Sequence, residues 1–181
     1  SSVTTDDTAA ARKAMDLLLE SGHRRVGILG ANFDCAQISY SRYLGCRESF
    51  ETHGLTLDES WTEACRYSMA EGYAAAGRIL DRTEGLTALF ALSDVMAIGA
   101  IRCLRDRGLR VPEDISVVGF DGVALGDYCV PRLTTVRQDT RSLVHRAAEI
   151  LLSRLTEPMP PVYETIPFTL IPGESAGPSP I

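Results

Sequence analysis

The chain has 181 residues, of which 45% are hydrophobic and 23% are charged, as in an ordinary globular domain. Its formal net charge of -6 at pH 7 argues against this segment binding nucleic acid by itself. The apolar runs are short, such as Leu86–Leu92, and no signal-peptide pattern opens the chain, so we expect no contact with a membrane.

Helical and extended patterns alternate along the chain. In chain order, apolar spacing and Gly stops predict helix Asp6–Glu20, strand Arg25–Leu29, helix Ser39–Thr52, strand Trp61–Tyr67, helix Met69–Asp81, strand Thr87–Leu92, helix Asp94–Arg107, strand Ile115–Phe120, strand Leu133–Arg137, helix Arg141–Leu155 and strand Tyr163–Ile171. Because the strands are continuously apolar and helices lie between them, we predict an α/β fold with a parallel sheet covered on both faces.

Five cysteines stand at irregular intervals without a C-x-x-C pair, which predicts reduced thiols and no zinc or other metal site. No G-x-G-x-x-G follows the first predicted strand and no P-loop is present, so we expect no cofactor. Reduced cysteines are typical of a cytoplasmic protein. The segment Gly173–Gly177 matches the G-x-S-x-G pattern of a nucleophile elbow. That motif needs an acid and a histidine downstream, and only four residues follow it here. We therefore expect no enzymatic activity.

Polar side chains follow the predicted strands at their carboxyl ends, where open α/β sheets bind ligands. Ser93 and Asp94 follow one strand, and Asp121 follows the next. Arg42 lies in the first turn of the helix after the first strand. An arginine donor fork beside carboxylate acceptors suits a polyhydroxylated ligand, because such charge-assisted hydrogen bonds are comparatively strong.

Each of these residues also has a plainer structural interpretation. Ser93 is a good helix N-cap, and Asp94 suits the positive end of a helix dipole. Asp121 can open a simple turn with the glycine after it, and Arg42 can be a solvated helix residue. Tyr67 can equally be a packing residue. Position alone leaves both interpretations open.

Six stretches are recognisable together and in order: VTTDD from Val3, GHRRVGILG from Gly22, SRYLG from Ser41, LSDVMAIGA from Leu92, VPEDISVVGFD from Val111 and PRLTTVRQD from Pro131. With these stretches the chain resembles the effector-binding core of LacI/GalR-type bacterial transcription regulators, which is related in fold to periplasmic sugar-binding proteins. The resemblance covers Val3 to about Ile171. It implies a Rossmann-like, periplasmic-binding-protein-like fold, present mainly as the C-terminal lobe.

The resemblance also implies which residues bind the effector: Arg42, Asp121, Ser93, Asp94, Tyr67 and Gln138. Arg42 and Asp121 match residues that bind the effector's hydroxyls in the family. Ser93 stands where the family often has asparagine, and Asp94 matches the aspartate beside it. Tyr67 falls where some members stack an aromatic ring on a sugar, and Gln138 lies at the return to the first lobe.

The chain matches only part of the family's length, because a helix-turn-helix and about half of a first lobe would precede it. We expect five segments: 1–24, a crossover helix from the missing N-terminal lobe; 25–130, the C-terminal effector-binding lobe; 131–158, a return strand and helix of the N-terminal lobe; 159–172, the final strand of the C-terminal lobe; and 173–181, a flexible tail. On this division the apolar face of the helix at 141–155 is exposed or is covered by another chain.

These expectations favour the ligand-sensing domain of a cytoplasmic transcription regulator. A small sugar-like effector would close two lobes and so change the affinity of a homodimer for operator DNA, which the absent helix-turn-helix would contact. The alternative is a sugar-binding protein of an ABC transporter, with the same fold exported as a monomer. The VPEDISVVGFD and PRLTTVRQ stretches favour the regulator.

Overall fold

A computed structural model describes residues 1–31, 37–156 and 159–180. Within them the helices are α1 Asp7–Glu20, α2 Gln37–Thr52, α3 Met69–Arg82, α4 Asp94–Asp106 and α5 Thr140–Thr156. The strands are β1 Ser2–Thr4, β2 Val26–Leu29, β3 Thr62–Glu63, β4 Ala88–Ala91, β5 Ser116–Asp121, β6 Thr134–Gln138, β7 Tyr163–Thr165 and β8 Phe168–Ile171. These elements agree closely with the predicted ones, apart from β1, which was not predicted, and from differences at β3 and at the last predicted strand.

Six of the strands form one sheet in the order β3–β2–β4–β5–β6–β8. Neighbouring strands run parallel except β8, which pairs antiparallel with β6. Every residue of β2 and β4 is buried, as expected for strands covered on both faces. The predicted α/β fold with a mostly parallel sheet is therefore confirmed.

Strand order determines where the helices lie. The chain moves outward from β2 to β3 and then returns past β2 to β4 and β5. Right-handed crossovers consequently place α2 on one face of the sheet and both α3 and α4 on the other. Helix α1 packs against α2, and α3 packs against α4. We call this six-stranded sheet with α1–α4 the main unit.

Small residues allow the helices of each pair to approach closely. A Cβ atom at Gly45 of α2 would collide with the backbone carbonyl of Thr8 in α1. In the other pair, Gly72 faces the backbone of Met96, and Gly99 faces the backbone of Met69. Polar caps fix where some of these helices begin: Asp6, for example, accepts a hydrogen bond from the backbone N–H three residues later.

The remaining elements form a separate small unit, which consists of β1, β7 and α5. Strands β1 and β7 pair in parallel, and α5 packs on β1. Arg146 of α5 donates two 2.6 Å hydrogen bonds to the carboxylate of Glu164 in β7. Ile150 is the one buried residue of α5, whereas several of its apolar side chains are exposed: Val144, Leu151, Leu152 and Leu155. The small unit thus presents an uncovered apolar helix face.

The structure corrects two of the expected segments and one predicted strand. Helix α1 does not belong to another lobe, because its apolar residues, including Met15 and Leu18, are fully buried in the core of the main unit. Strand β6 also lies in the main sheet, between β5 and β8, so the chain leaves the main unit after Gln138 rather than at residue 131. The predicted strand Tyr163–Ile171 is two strands in different sheets, since Pro167 cannot continue a hydrogen-bonded ladder.

The expected flexible tail is also wrong for residues 173–180, which are attached to the amino ends of the central strands. Ser175 is fully buried, donates to the carbonyl of Val117 and accepts from the N–H of Thr134. The buried His23 ring contacts the carbonyl of Gly177 at 3.1 Å. The serine of the G-E-S-A-G stretch is therefore a structural residue whose hydroxyl is fully engaged.

In the part of the chain that the structure describes, no helix combines the length and the apolar composition needed to cross a bilayer.

Candidate functional site

The candidate site lies where the order of the main sheet reverses. Strands β2 and β4 are neighbours, but the chain leaves them in opposite directions. The loops after two such strands diverge and leave a crevice at their carboxyl ends. Arg42, on the helix after β2, and Ser93, two residues after β4, follow these two strands. The strand ends of β5 and β6 add Asp121 and Gln138 on the same edge of the sheet.

Arg42 is the centre of the site. Its side chain is only 5% exposed and bonds in three directions. Nε donates to Asp7 Oδ1 at 2.7 Å, Nη1 donates to the carbonyl of Leu92 at 2.5 Å, and Nη2 lies 3.3 Å from Asp121 Oδ1. The guanidinium carbon also lies 3.7 Å from the centre of the Phe120 ring, a cation–π contact. The interpretation of Arg42 as a solvated helix residue is therefore wrong.

Asp121 faces the crevice and connects Arg42 to Gln138, whose side-chain amide donates to Oδ1 at 2.9 Å. The side chain is 31% exposed, so solvent or a ligand can reach the carboxylate. Burial raises the pKa of Asp121, although Arg42 and Gln138 oppose the shift. Its φ of 113° is strained for a residue with a side chain, and such strain is concentrated at functional sites.

Ser93 does not cap α4, so the capping interpretation is wrong. It occupies the N-cap position, but its side chain makes no capping hydrogen bond. The residue is buried, and its Oγ has no hydrogen-bond partner among the described residues. An unsatisfied buried hydroxyl costs about 1–3 kcal/mol, so a ligand or water that bonds to Ser93 Oγ would recover that cost.

Asp94 lies behind the crevice rather than in it. The residue is fully buried, and each carboxylate oxygen already has a partner. Thr135 Oγ1 donates to Oδ1 at 2.5 Å, and the backbone N–H of Val123 donates to Oδ2 at 2.7 Å. These bonds connect α4 to β6 and to the loop that follows Asp121. The geometry thus gives Asp94 a positioning role instead of the expected contact with effector.

Tyr67 lies at the rim of the site. Its hydroxyl is 3.0 Å from Ser39 Oγ, one helical turn before Arg42 on α2. The ring is substantially exposed, so it is not the packing residue of the plainer interpretation. An exposed aromatic face beside a polar crevice can stack on the apolar face of a ring-shaped ligand.

The open volume beside Asp121 is a pocket of about 520 Å³, large enough for a small ligand. Its lining includes Asp121, Val123, Gln138 and Thr140. The lining also includes Arg137, Asp139 and Arg141, whereas Arg42, which pairs with Asp7 and Asp121, lies outside it. The pocket thus offers both hydrogen-bond donors and acceptors, which suits a ligand rich in hydroxyl groups. Nowhere in residues 1–31, 37–156 or 159–180 do three His, Cys, Asp or Glu side chains group as metal ligands would.

Sequence reasoning missed Asp7 and Thr135. Asp7 lies in the first turn of a predicted helix, where an acidic residue is already explained by the helix dipole. Thr135 lies within a strand, where threonine is common. Neither carries a local signal of its contact with a residue far along the chain. Of the cysteines, Cys46, Cys65, Cys103 and Cys129 are free, and Cys35 lies outside the described residues.

Comparison with known proteins identifies the family to which this chain belongs. Residues 15–176 match the model of the periplasmic binding protein-like domain. Among curated proteins, the chain is 38% identical over 139 residues to the HTH-type transcriptional repressor PurR of Haemophilus influenzae strain PittEE. The matched residues make up 77% of this chain and 41% of that protein. The chain spans less than half of the length of this relative.

Solved structures of transcriptional regulators resemble the chain over nearly its whole length. A LacI-family transcriptional regulator from Sanguibacter keddieii is 35% identical, with a TM-score of 0.91 over 96% of this chain and 65% of that one. A complex of the transcriptional regulator CelR with cellobiose is 34% identical, with a TM-score of 0.92 over 96% of this chain and 53% of that one. The chain therefore belongs to the periplasmic binding protein-like domain family, in the form found in LacI-type transcriptional regulators.

Proposed function

We propose that this chain binds a small polyhydroxylated effector, a sugar or sugar derivative, at the carboxyl edge of the main sheet. The observation that carries the proposal is the cluster of Arg42, Asp121 and Gln138 around an accessible carboxylate at the strand reversal. An ionised carboxylate can accept more hydrogen bonds than the two that reach Asp121 Oδ1. The cellobiose complex of a similar regulator supports a sugar ligand.

The energetics are adequate for a metabolite sensor. Each charge-assisted hydrogen bond contributes about 1.5–3 kcal/mol. Three or four such bonds, after the cost of association, correspond to a Kd on the order of micromolar. The hydroxyl of Ser93 adds a further partner that is otherwise unsatisfied.

We further propose that, in a full-length regulator of this family, a second lobe covers the exposed face of α5 and closes over the effector. Closure would change the geometry of a homodimer and hence its affinity for operator DNA in the cytoplasm. The effector can do this only through a difference in affinity for two conformations. The similarity to transcription regulators supports this function over a role in transport.

A panel of sugars that includes cellobiose tests the proposal, with binding followed by calorimetry and thermal shift. Asp121→Asn and Gln138→Ala should each weaken a binding sugar by about tenfold or more, because each removes a polar partner. Asp114→Asn is the matched control, because Asp114 is an aspartate paired with Arg110 near the amino end of β5, away from the site. A sugar whose affinity is the same in all three variants would contradict the site.

Arg42→Ala is unsuitable for this test. It would leave the carboxylates of Asp7 and Asp121 without their shared cation in a largely buried site. Breaking a buried ion pair in this way costs about 3–5 kcal/mol. Loss of binding in Arg42→Ala would therefore not distinguish a lost ligand contact from a lost fold.

A further inference from the structure

Three connections join the main unit to the small unit of β1, β7 and α5. They are the segments between β1 and α1, between β6 and α5, and between β7 and β8. The last runs beside the other two, because the N–H of Ile166 donates to the carbonyl of Thr4, and Phe168 is the register partner of Gln138. Any motion of the small unit relative to the main unit must pass through these segments.

A continuous row of polar side chains crosses the main unit between two of these connections. It begins at Asp7, three residues after β1, and passes through Arg42 and Asp121 to Gln138 at the end of β6. The successive contacts measure 2.7, 3.3 and 2.9 Å. The middle of this row is the candidate site itself.

We propose that Asp7 is the positioning residue of this site and that the row Asp7–Arg42–Asp121–Gln138 acts as one relay between the two connections. Asp7 orients the guanidinium by holding Nε, so that Nη2 points toward Asp121. The contacts among these four residues do not depend on the proposed function. Only the effect of a ligand on the relay rests on it. A ligand that takes over a hydrogen bond of Asp121 would weaken the relay and so reach both connections at once.

The first measurement uses the unmodified protein without ligand. Nuclear magnetic resonance gives the exchange rate of the Arg42 Nε–H proton, with the exposed Arg47 on the same helix as reference. The relay predicts exchange slower than that of Arg47 by about tenfold or more, the value of one charge-assisted hydrogen bond. Equal exchange rates would overturn the proposal even if every variant failed to fold.

The second measurement follows the side-chain signals of Arg42 and Gln138 in variants. Asp7→Asn should shift both, although Asp7 and Gln138 are not in contact, and Asp7→Glu should restore part of the Arg42 protection. Asp6→Asn is the matched control. It removes the neighbouring carboxylate, keeps an oxygen that can accept the capping hydrogen bond of α1, and should leave both signals in place. Gln138 signals that are unchanged in Asp7→Asn would show that no relay exists.

Ligand binding gives a separate readout. If cellobiose or another sugar of the panel binds, Asp7→Asn should weaken it several-fold, and Asp6→Asn should not. Unchanged affinity in Asp7→Asn would contradict the positioning role. If the relay signals behave as expected but no sugar of the panel binds, the proposed function fails while the relay stands, so the two failures are distinguishable.

Discussion

Asp94 is a buried carboxylate, and burial raises its pKa from 3.8 to about 6 against the opposing hydrogen bonds from Thr135 and Val123. Between pH 3.8 and about pH 6, the Asp94 carboxyl holds a proton in the folded protein that it has released in the unfolded chain. The free energy of unfolding therefore falls as pH rises through this window, and it stays lowered above it. The difference in pKa corresponds to about 3 kcal/mol at pH 7.

Asp94→Asn removes the charge and keeps both hydrogen bonds. The amide oxygen can accept from the N–H of Val123, and the amide nitrogen can donate to Thr135 Oγ1, whose proton then turns to the Val136 carbonyl, 3.3 Å away. Losing the negative charge at the start of α4 costs about 0.3–1 kcal/mol. We expect a net gain of about 2 kcal/mol in stability at pH 7.

Urea unfolding measured from about pH 4 to about pH 7.5 tests this expectation. The stability of Asp94→Asn should vary less with pH than that of the unmodified protein. Asp114→Asn is the control, because Arg110 lowers the pKa of that exposed carboxylate to about 2, below the window. An Asp94→Asn variant that is less stable at pH 7 and keeps the original pH dependence would refute the reasoning.

Three further predictions concern packing. Burial lowers the pKa of His23 although the Gly177 carbonyl favours the protonated ring, so the free energy of unfolding should fall as pH falls below about 6.5, and His23→Ala should lose this pH dependence in urea unfolding. Gly45→Ala should lower Tm by several degrees, because its Cβ meets the α1 backbone; an unchanged Tm would contradict this contact. Leu155→Glu should reduce binding of an apolar dye while changing stability by less than about 0.5 kcal/mol, because Leu155 is 75% exposed.

The main sheet could be predicted because its signals are local. The apolar runs of β2, β4 and β5 and the stops after the helices give the alternation of strands and helices directly. The unit to which each element belongs could not be predicted in this way. Strand β6 and helix α5 are adjacent in sequence, and only the pairing of β6 with β5 places it in the main sheet. That pairing is a contact distant in sequence.

The site was predictable in part for the same reason. Arg42 and Asp121 follow strands, and Gln138 ends one, so the topology brings all three to one edge. The depth of a side chain below that edge was not predictable. Asp94 is adjacent to Ser93, yet its carboxylate turns into the protein toward Thr135, while Ser93 Oγ has no partner in the described part of the chain.

The central claim is that a sugar binds at the carboxyl edge of the main sheet. The most direct test is chemical-shift mapping of the backbone amides while a sugar that binds, with cellobiose tried first, is added to the chain. We expect the largest changes at Gly122, Val123 and Gln138, around the 520 Å³ pocket. Changes concentrated instead around Leu109, Val111 and Val130, which line a pocket of about 450 Å³ near the amino ends of β5 and β6, would contradict it.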